Sequence, residues 1–377
     1  MTQEQNNIPL FRACSGMDDV RLVSDVIKSG SYWAEGDSVR VFEEEIAKYT
    51  DIGYAATVNS GTSALHAALL ALDIKGGEVI VPSFTFIATA NAPLMVGARP
   101  IFADIETDTY GLDPENVQNL ITNRTKAIIP VHIAGQACRI RELMEIAEDN
   151  NLILIEDCAE ALGTFTGGDH VGCYGDAAIL SFCGSKIIST GEGGAVISDN
   201  KKLVERVKMI RSHGRSGVGY FTSHSPPEYA MLGYNWRMSS ISAALGIAQL
   251  VKIETIIKLR GDRARLMTEL LNQHVPDIKT PSPVLNNRRV YQMYTIETPR
   301  RDRLRDYLAE YKISSKVYFE PVHRTRFYQE SLKYKYDLCP ITEALSQRVL
   351  TLPLYPDLTN DKIEYIVSKI ADFMEIG

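Results

Sequence analysis

From about residue 54 onward, short apolar runs alternate with helical patterns. YAATVN is followed by TSALHAALLAL, EVIVPS by FIATANAPLMVG, and RPIFADI, AIIPVHI and the helical RIRELMEIAEDN come next. The very apolar LILIED, the strand-like AAILSF and the segment GGAVIS complete the series. Strands that are apolar without interruption have both faces buried, so they belong in a mostly parallel sheet with helices on each side. The fold class is therefore α/β.

At 377 residues the chain exceeds one ordinary core, which predicts a large domain and a smaller one. Residues 238–273 keep helical spacing for longer than one globular helix usually runs, so a boundary is expected inside them, near residue 250. The division is residues 1–250, a large domain with the N-terminal segment, and 251–377, a small α/β domain. The second has strand candidates VYQMYTIE and SSKVYFEP and helix candidates RDRLRDYLAEY and NDKIEYIVSKIADFM.

Charge narrows the partners. The formal net charge of -7 argues against a surface devoted to nucleic acid, so any anionic ligand must be held locally. The six cysteines, Cys14, Cys138, Cys158, Cys173, Cys183 and Cys339, form no CxxC pair, and the start MTQEQNNIPLF lacks a basic-then-apolar signal pattern. A reduced, cytoplasmic protein without a metal site is expected. The apolar runs break well before the ~20 residues a membrane helix needs, so no membrane association is expected.

In open parallel sheets, ligand groups gather beyond the carboxyl ends of the strands. Four such ends carry a consistent set. LILIED ends in Asp157, and an acid leaving so apolar a strand needs a cationic or hydrogen-bonding partner to stay charged; a pyridinium nitrogen would be one. After AAILSF, ending in Ser181 and Phe182, the short loop Cys183-Gly184-Ser185 leads to Lys186. Glycines around it let the backbone pass close to a bulky planar group. The Lys186 amine there can form an imine with an aldehyde and later shuttle a proton. Asn59-Ser60-Gly61-Thr62-Ser63 joins a strand to a helix, where free N–H groups and the hydroxyls of Thr62 and Ser63 suit a phosphate. In PSFTF, Phe86 is placed to stack on an aromatic ring. Each feature alone has a plain alternative: a helix cap, a core aromatic, a solvated lysine. Together, in one framework, they close on one cofactor.

These residues, with IPLFR, GSYWAEGDSVRVFEEEIAKY, NSGTSAL, VPSFTFIATANA, TKAIIPVHIAGQ, IEDCAEALGT, SFCGSKIISTGEGGAV, IRSHG, GYNWRMSSISAALGIAQL and LPLYPDLT, resemble the DegT/DnrJ/EryC1/StrS family of sugar aminotransferases over nearly the whole chain. The resemblance implies the aspartate-aminotransferase fold, type I, and pyridoxal 5'-phosphate as cofactor. It implies that Lys186 carries the cofactor as a Schiff base, that Asp157 pairs with the pyridine nitrogen, that Phe86 stacks on the ring, and that Thr62, Ser63 and Ser181 hold the phosphate. Asn235 matches an asparagine that reaches this phosphate from the neighbouring subunit, which implies a homodimer with shared sites. The implied substrates are a nucleotide-linked 4-keto-6-deoxy sugar and L-glutamate, which leaves as 2-oxoglutarate.

SKIISTGEGG followed by GYNWRMSS looks more like members that aminate C4 than C3. Arg237 is a candidate for a substrate carboxylate or phosphate, with a structural ion pair as the alternative. His213, Tyr318 and His323 lie where the family lines the sugar pocket, although the family often has His-Tyr where this chain reads Tyr318-Phe319. Glu160 departs from the family's usual histidine or glutamine beside the cofactor's phenolic oxygen. If it points there, repulsion would keep it a neutral hydrogen-bond donor; the alternative is that it turns to a basic group. Competing readings are a C3 or keto-cyclitol aminotransferase, a dehydratase of the same fold, in which histidine typically replaces the lysine, and a silent binding protein, which would be expected to lose Lys186 or Asp157.

Overall fold

Alternate residues of the apolar strands serve two different cores. In the computed structural model, which describes residues 7–30, 33–34, 36–217, 228–281 and 287–376, Val79, Val81, Ile155 and Ile179 pack in one cluster with Ala64, Leu65 and Ala68 of the helix Gly61–Ala71. Ile80, Ile128 and Leu154, one residue out of step, pack on the other side with Leu143 and Ala147 of the helix Ile140–Asp149. Both faces of the sheet are thus apolar because both are covered.

The sheet has seven strands, in the order Tyr54–Val58, Gly194–Ser198, Ala177–Ser181, Ile153–Asp157, Thr125–Ile128, Glu78–Pro82 and Arg99–Ala103. The strands from Ala177–Ser181 to Arg99–Ala103 are parallel. Gly194–Ser198 runs antiparallel to both its neighbours, because the loop from 182 to 193 contains no helix to carry the chain back over the sheet. The sheet is mostly parallel, as expected, and the carboxyl ends at Val58, Pro82, Asp157 and Ser181 share one edge.

Beneath that edge, Glu156 is fully buried and accepts N–H groups from Gly172, Tyr174 and Gly175 at 2.8–2.9 Å, with His132 Nε2 at 3.0 Å. This anchors the strand end that carries Asp157. A glutamine has only one acceptor oxygen, so Glu156→Gln must set an amide NH2 against a buried donor. The expected loss, about 1–3 kcal/mol of stability, is read by chemical denaturation; an unchanged midpoint and slope would contradict it.

Past residue 239 the long helical run breaks at Lys252 into Ser240–Val251 and Ile253–His274, which meet at 60°. The second helix packs with Arg301–Glu310, Asn360–Glu375 and the antiparallel strands Tyr294–Glu297 and Val349–Leu352 around Met267, Tyr294, Leu304, Leu350 and Ile366. Ile8 lies in this cluster and pairs with Ile313. The candidate strand SSKVYFEP is irregular, forming only an isolated bridge from Lys316 to Thr351. Among the described residues no single helix is long and apolar enough to cross a membrane.

Candidate active site

The carboxyl ends of the strands surround a cavity of about 380 Å³, within the range of small-molecule sites. Asp157 forms part of its lining and is 3% exposed. Its Oδ2 accepts the Thr89 hydroxyl at 2.8 Å and its Oδ1 the Ala159 N–H at 3.1 Å. Burial pushes the carboxyl pKa up, opposed by these two hydrogen bonds and by the charge of Lys186. No cation forms an ion pair with it among the described residues. A buried acid on the wall of a cavity, held by neutral donors alone, suits a ligand that brings its own positive nitrogen.

Lys186 follows a tight turn in which its N–H donates to the Cys183 carbonyl at 3.0 Å. Phe182, fully buried against Phe42, fixes the start of the loop, and Gln292 Nε2 donates to the Ser185 carbonyl at 2.7 Å. The Lys186 side chain lines the cavity and is 17% exposed. Its Nζ stands 3.4 Å from Glu160 Oε1, while Glu160 Oε2 accepts the Ala134 N–H at 2.8 Å. Both Glu160 oxygens therefore face donors. One of those donors is the Lys186 amine, the basic group of the second orientation expected for this side chain; the other is the N–H of Ala134, which takes a left-handed conformation (φ 56°, ψ 21°).

The helix Gly61–Ala71 starts at the cavity. Ser60 caps it, its hydroxyl accepting the Ser63 N–H at 3.1 Å. The first intrahelical bond is Ala64 N–H to the Ser60 carbonyl, so the Gly61 and Thr62 N–H groups precede the helical ladder. Gly61 and Gly194 are needed for this approach. A Cβ on Gly61 would lie 2.9 Å from Ser181 Cβ, and one on Gly194 only 2.5 Å from the Ser60 carbonyl oxygen. Ser60, Thr62 and Ser181 line the cavity. Ser63 does not; its hydroxyl donates to Asn59 Oδ1 at 2.7 Å and serves the cap. This cradle of N–H groups, hydroxyls and a helix start fits a phosphate. Phe86 also lines the cavity, with 59% of its surface exposed, an apolar ring left for a ligand to cover.

Of the substrate candidates, Tyr318 lines the cavity, with the Lys316 ammonium 4.8 Å from its ring centre. His323 does not. It is fully buried, its Nδ1 2.6 Å from Ser83 Oγ and its Nε2 3.0 Å from both Glu343 Oε1 and the Tyr336 carbonyl. Its ring is spent tying the strand-end loop to the C-terminal region. His213 and Arg237 lie outside the cavity lining, Arg237 donating to Ser212 Oγ at 3.2 Å. Asn235 is exposed and outside this chain's own cavity.

Sequence reasoning missed Thr89, Gln292 and Lys316. Thr89 offered a signal, since it falls in the helical pattern just past a strand end that shares its edge with Asp157; its hydroxyl also lies 3.0 Å from that of Thr85, in the loop before the helix. Gln292 and Lys316 are distant in the chain and gave none.

Residues 14–371 match the model of the DegT/DnrJ/EryC1/StrS aminotransferase family. The GDP-perosamine synthase of Escherichia coli O157:H7 is 36% identical, over 97% of this chain and 98% of its own. Among solved structures, S. venezuelae DesV is 30% identical with a TM-score of 0.90, covering 98% of this chain and 99% of its own. The PLP form of Spr1654 from Streptococcus pneumoniae is 25% identical with a TM-score of 0.92 over the same shares, 98% and 99%.

Proposed function

The chain belongs to the DegT/DnrJ/EryC1/StrS aminotransferase family and is a pyridoxal-phosphate-dependent sugar aminotransferase; from that premise we propose that it aminates a nucleotide-linked 4-keto-6-deoxy sugar at C4 with L-glutamate as donor. The observation that carries the assignment of its chemistry is the Lys186 amine on one cavity with the buried acid Asp157, which has no ion-pair partner among the described residues. The GDP-linked name of the Escherichia coli relative puts a GDP-linked sugar first among those to test.

When bound, the cofactor supplies an aldehyde that takes up amines and a conjugated ring that accepts electrons. The residues of this chain do the rest. Lys186 holds the cofactor covalently and, once released, carries a proton on Nζ between the two carbons that exchange it. Asp157 keeps a proton on the ring nitrogen. Phe86 covers one face of the ring and excludes water from it. Thr62, Ser181 and the start of the helix Gly61–Ala71 bind the phosphate, with Ser63 ordering the cap behind them. Tyr318 borders the sugar.

The phosphate cradle is completed by Asn235 of the partner subunit in a homodimer. Exposed Asn235, with exposed Leu232 and Tyr229 nearby in sequence, supports a surface that meets a second copy. Asn235→Ala and Lys186→Ala chains are each expected to be inactive, and mixtures allowed to exchange subunits to regain activity. In a mixed dimer one site receives both defects and the other neither. Full activity and cofactor affinity in Asn235→Ala alone would remove the contact.

The substrate proposal is tested with 15N-labelled L-glutamate and a panel of nucleotide-linked 4-keto and 3-keto sugars, with products resolved by mass and NMR. Label on C4 of a nucleotide-linked sugar is expected. Label on C3, or on an unlinked keto-cyclitol, would overturn it.

A further inference from the structure

Three carboxyls line the cavity, those of Asp157, Glu160 and Glu192, against two amines, Lys186 and Lys316; among the described residues no arginine lines it. Lys186 is taken by the cofactor and faces Glu160. Lys316 forms no ion pair among the described residues; its ammonium stands 4.8 Å from the centre of the Tyr318 ring, which borders the same cavity. Its backbone is fixed on both sides: the N–H donates to the Thr351 carbonyl at 3.1 Å, and the carbonyl accepts the Thr351 N–H at 2.8 Å. Thr351 lies in the buried strand Val349–Leu352, whereas Lys316 itself is exposed. The cation is thus rooted in the C-terminal core with its head free to meet a ligand.

We propose that Lys316 binds the distal carboxylate of the amino donor and sets the preference for a dicarboxylic donor, an assignment that rests on reading this cavity as the transaminase site. The donor must bring its amine to the Lys186 end, because that nitrogen is the one transferred, and its α-carboxylate, on the same carbon, stays beside it. L-Glutamate then carries its second charge away from that point, into a cavity lined by three carboxyls. A carboxylate taken out of water without a partner is costly, and Lys316 is the cation left to meet it. The ring face of Tyr318 attracts the ammonium without using its N–H donors, which remain for the carboxylate. A donor with an amide in place of the distal carboxylate gains nothing from this charge. The nucleotide-linked sugar carries its phosphates beyond a whole sugar ring from the reacting carbonyl, so it depends less on a cation inside the cavity.

The test titrates cofactor-loaded wild type, Lys316→Met and Lys316→Arg with glutarate by calorimetry; glutarate has both carboxylates and no amine, so binding is read without turnover. Lys316→Met keeps the length of the side chain and removes its charge, and its glutarate affinity is expected to fall ~10–100-fold, as for a lost hydrogen bond to a charged group. Lys316→Arg, which keeps the charge, is expected to stay near wild type. Should Lys316→Met fail to fold, as a melting curve would show, Lys316→Gln supplies the neutral member. In the donor half-reaction, run without sugar and followed by loss of the yellow colour, wild type is expected to prefer L-glutamate to L-glutamine and Lys316→Met to lose that preference. Titration with GDP separates a phosphate role and is expected to give the same affinity in wild type and Lys316→Met. The proposal is overturned by a wild type that takes up no glutarate or shows no preference for glutamate, by equal glutarate affinity in wild type and the neutral variant, or by a loss of GDP affinity as large as the loss for glutarate. Turnover of the wild type with glutamate and sugar tests the underlying reading separately, so an active wild type whose glutarate affinity ignores Lys316 sinks this assignment alone.

Discussion

Lys186→Ala is expected to bring turnover below detection while the chain stays folded. The side chain is only 17% exposed, and among the described residues its one ion pair is with Glu160, on the wall of the cavity and not in a core cluster. Two contributions fail together: covalent attachment of the cofactor, and movement of the proton, the latter alone worth ~10²–10⁴-fold. Cofactor is still expected to bind, through the phosphate cradle of Ser60, Thr62 and Ser181. Rate measurements with glutamate and the sugar substrate check this, alongside a melting curve that separates lost chemistry from lost fold. Turnover within tenfold of wild type would place the amine chemistry on another residue.

Asp157→Asn is expected to fold and bind cofactor yet lose activity by a hundredfold or more. An asparagine can be seated: its oxygen can keep the Ala159 N–H, and the Thr89 hydroxyl can turn to accept, since it also lies 3.0 Å from Thr85 Oγ1. What it cannot supply is the negative charge that keeps a proton on the ring nitrogen. Breaking a buried pair costs ~3–5 kcal/mol, and at ~1.4 kcal/mol per tenfold this corresponds to roughly two to three and a half decades in rate. Steady-state kinetics at saturating cofactor gives the figure. Near wild-type turnover in the asparagine variant would remove Asp157 from the mechanism.

The βα framework was legible because LILI, AAIL and VIV are apolar at every position, and such strands have one home, a sheet covered on both faces. The same rule pointed to Asp157 and Lys186, since polar residues at the ends of buried strands cluster at one edge. Two kinds of information were not legible. SSKVYFEP has the composition of a strand, but beyond the bridge from Lys316 to Thr351 it finds no ladder, and pairing over long separations leaves no local trace. His323 reads as a pocket histidine until Ser83, far earlier in the chain, is found 2.6 Å from its ring. The direction of Glu160 depended on the left-handed turn at Ala134, a conformation that alanine does not advertise.

The measurement closest to the central claim is borohydride reduction of the purified, cofactor-loaded protein followed by digestion and peptide mapping. The loaded protein is expected to be yellow before reduction, and the reduced cofactor is expected on a single peptide, attached to Lys186 Nζ in the SFCGSK loop. An adduct mapped to any other lysine, or no covalent adduct in a protein that turns over, would contradict it.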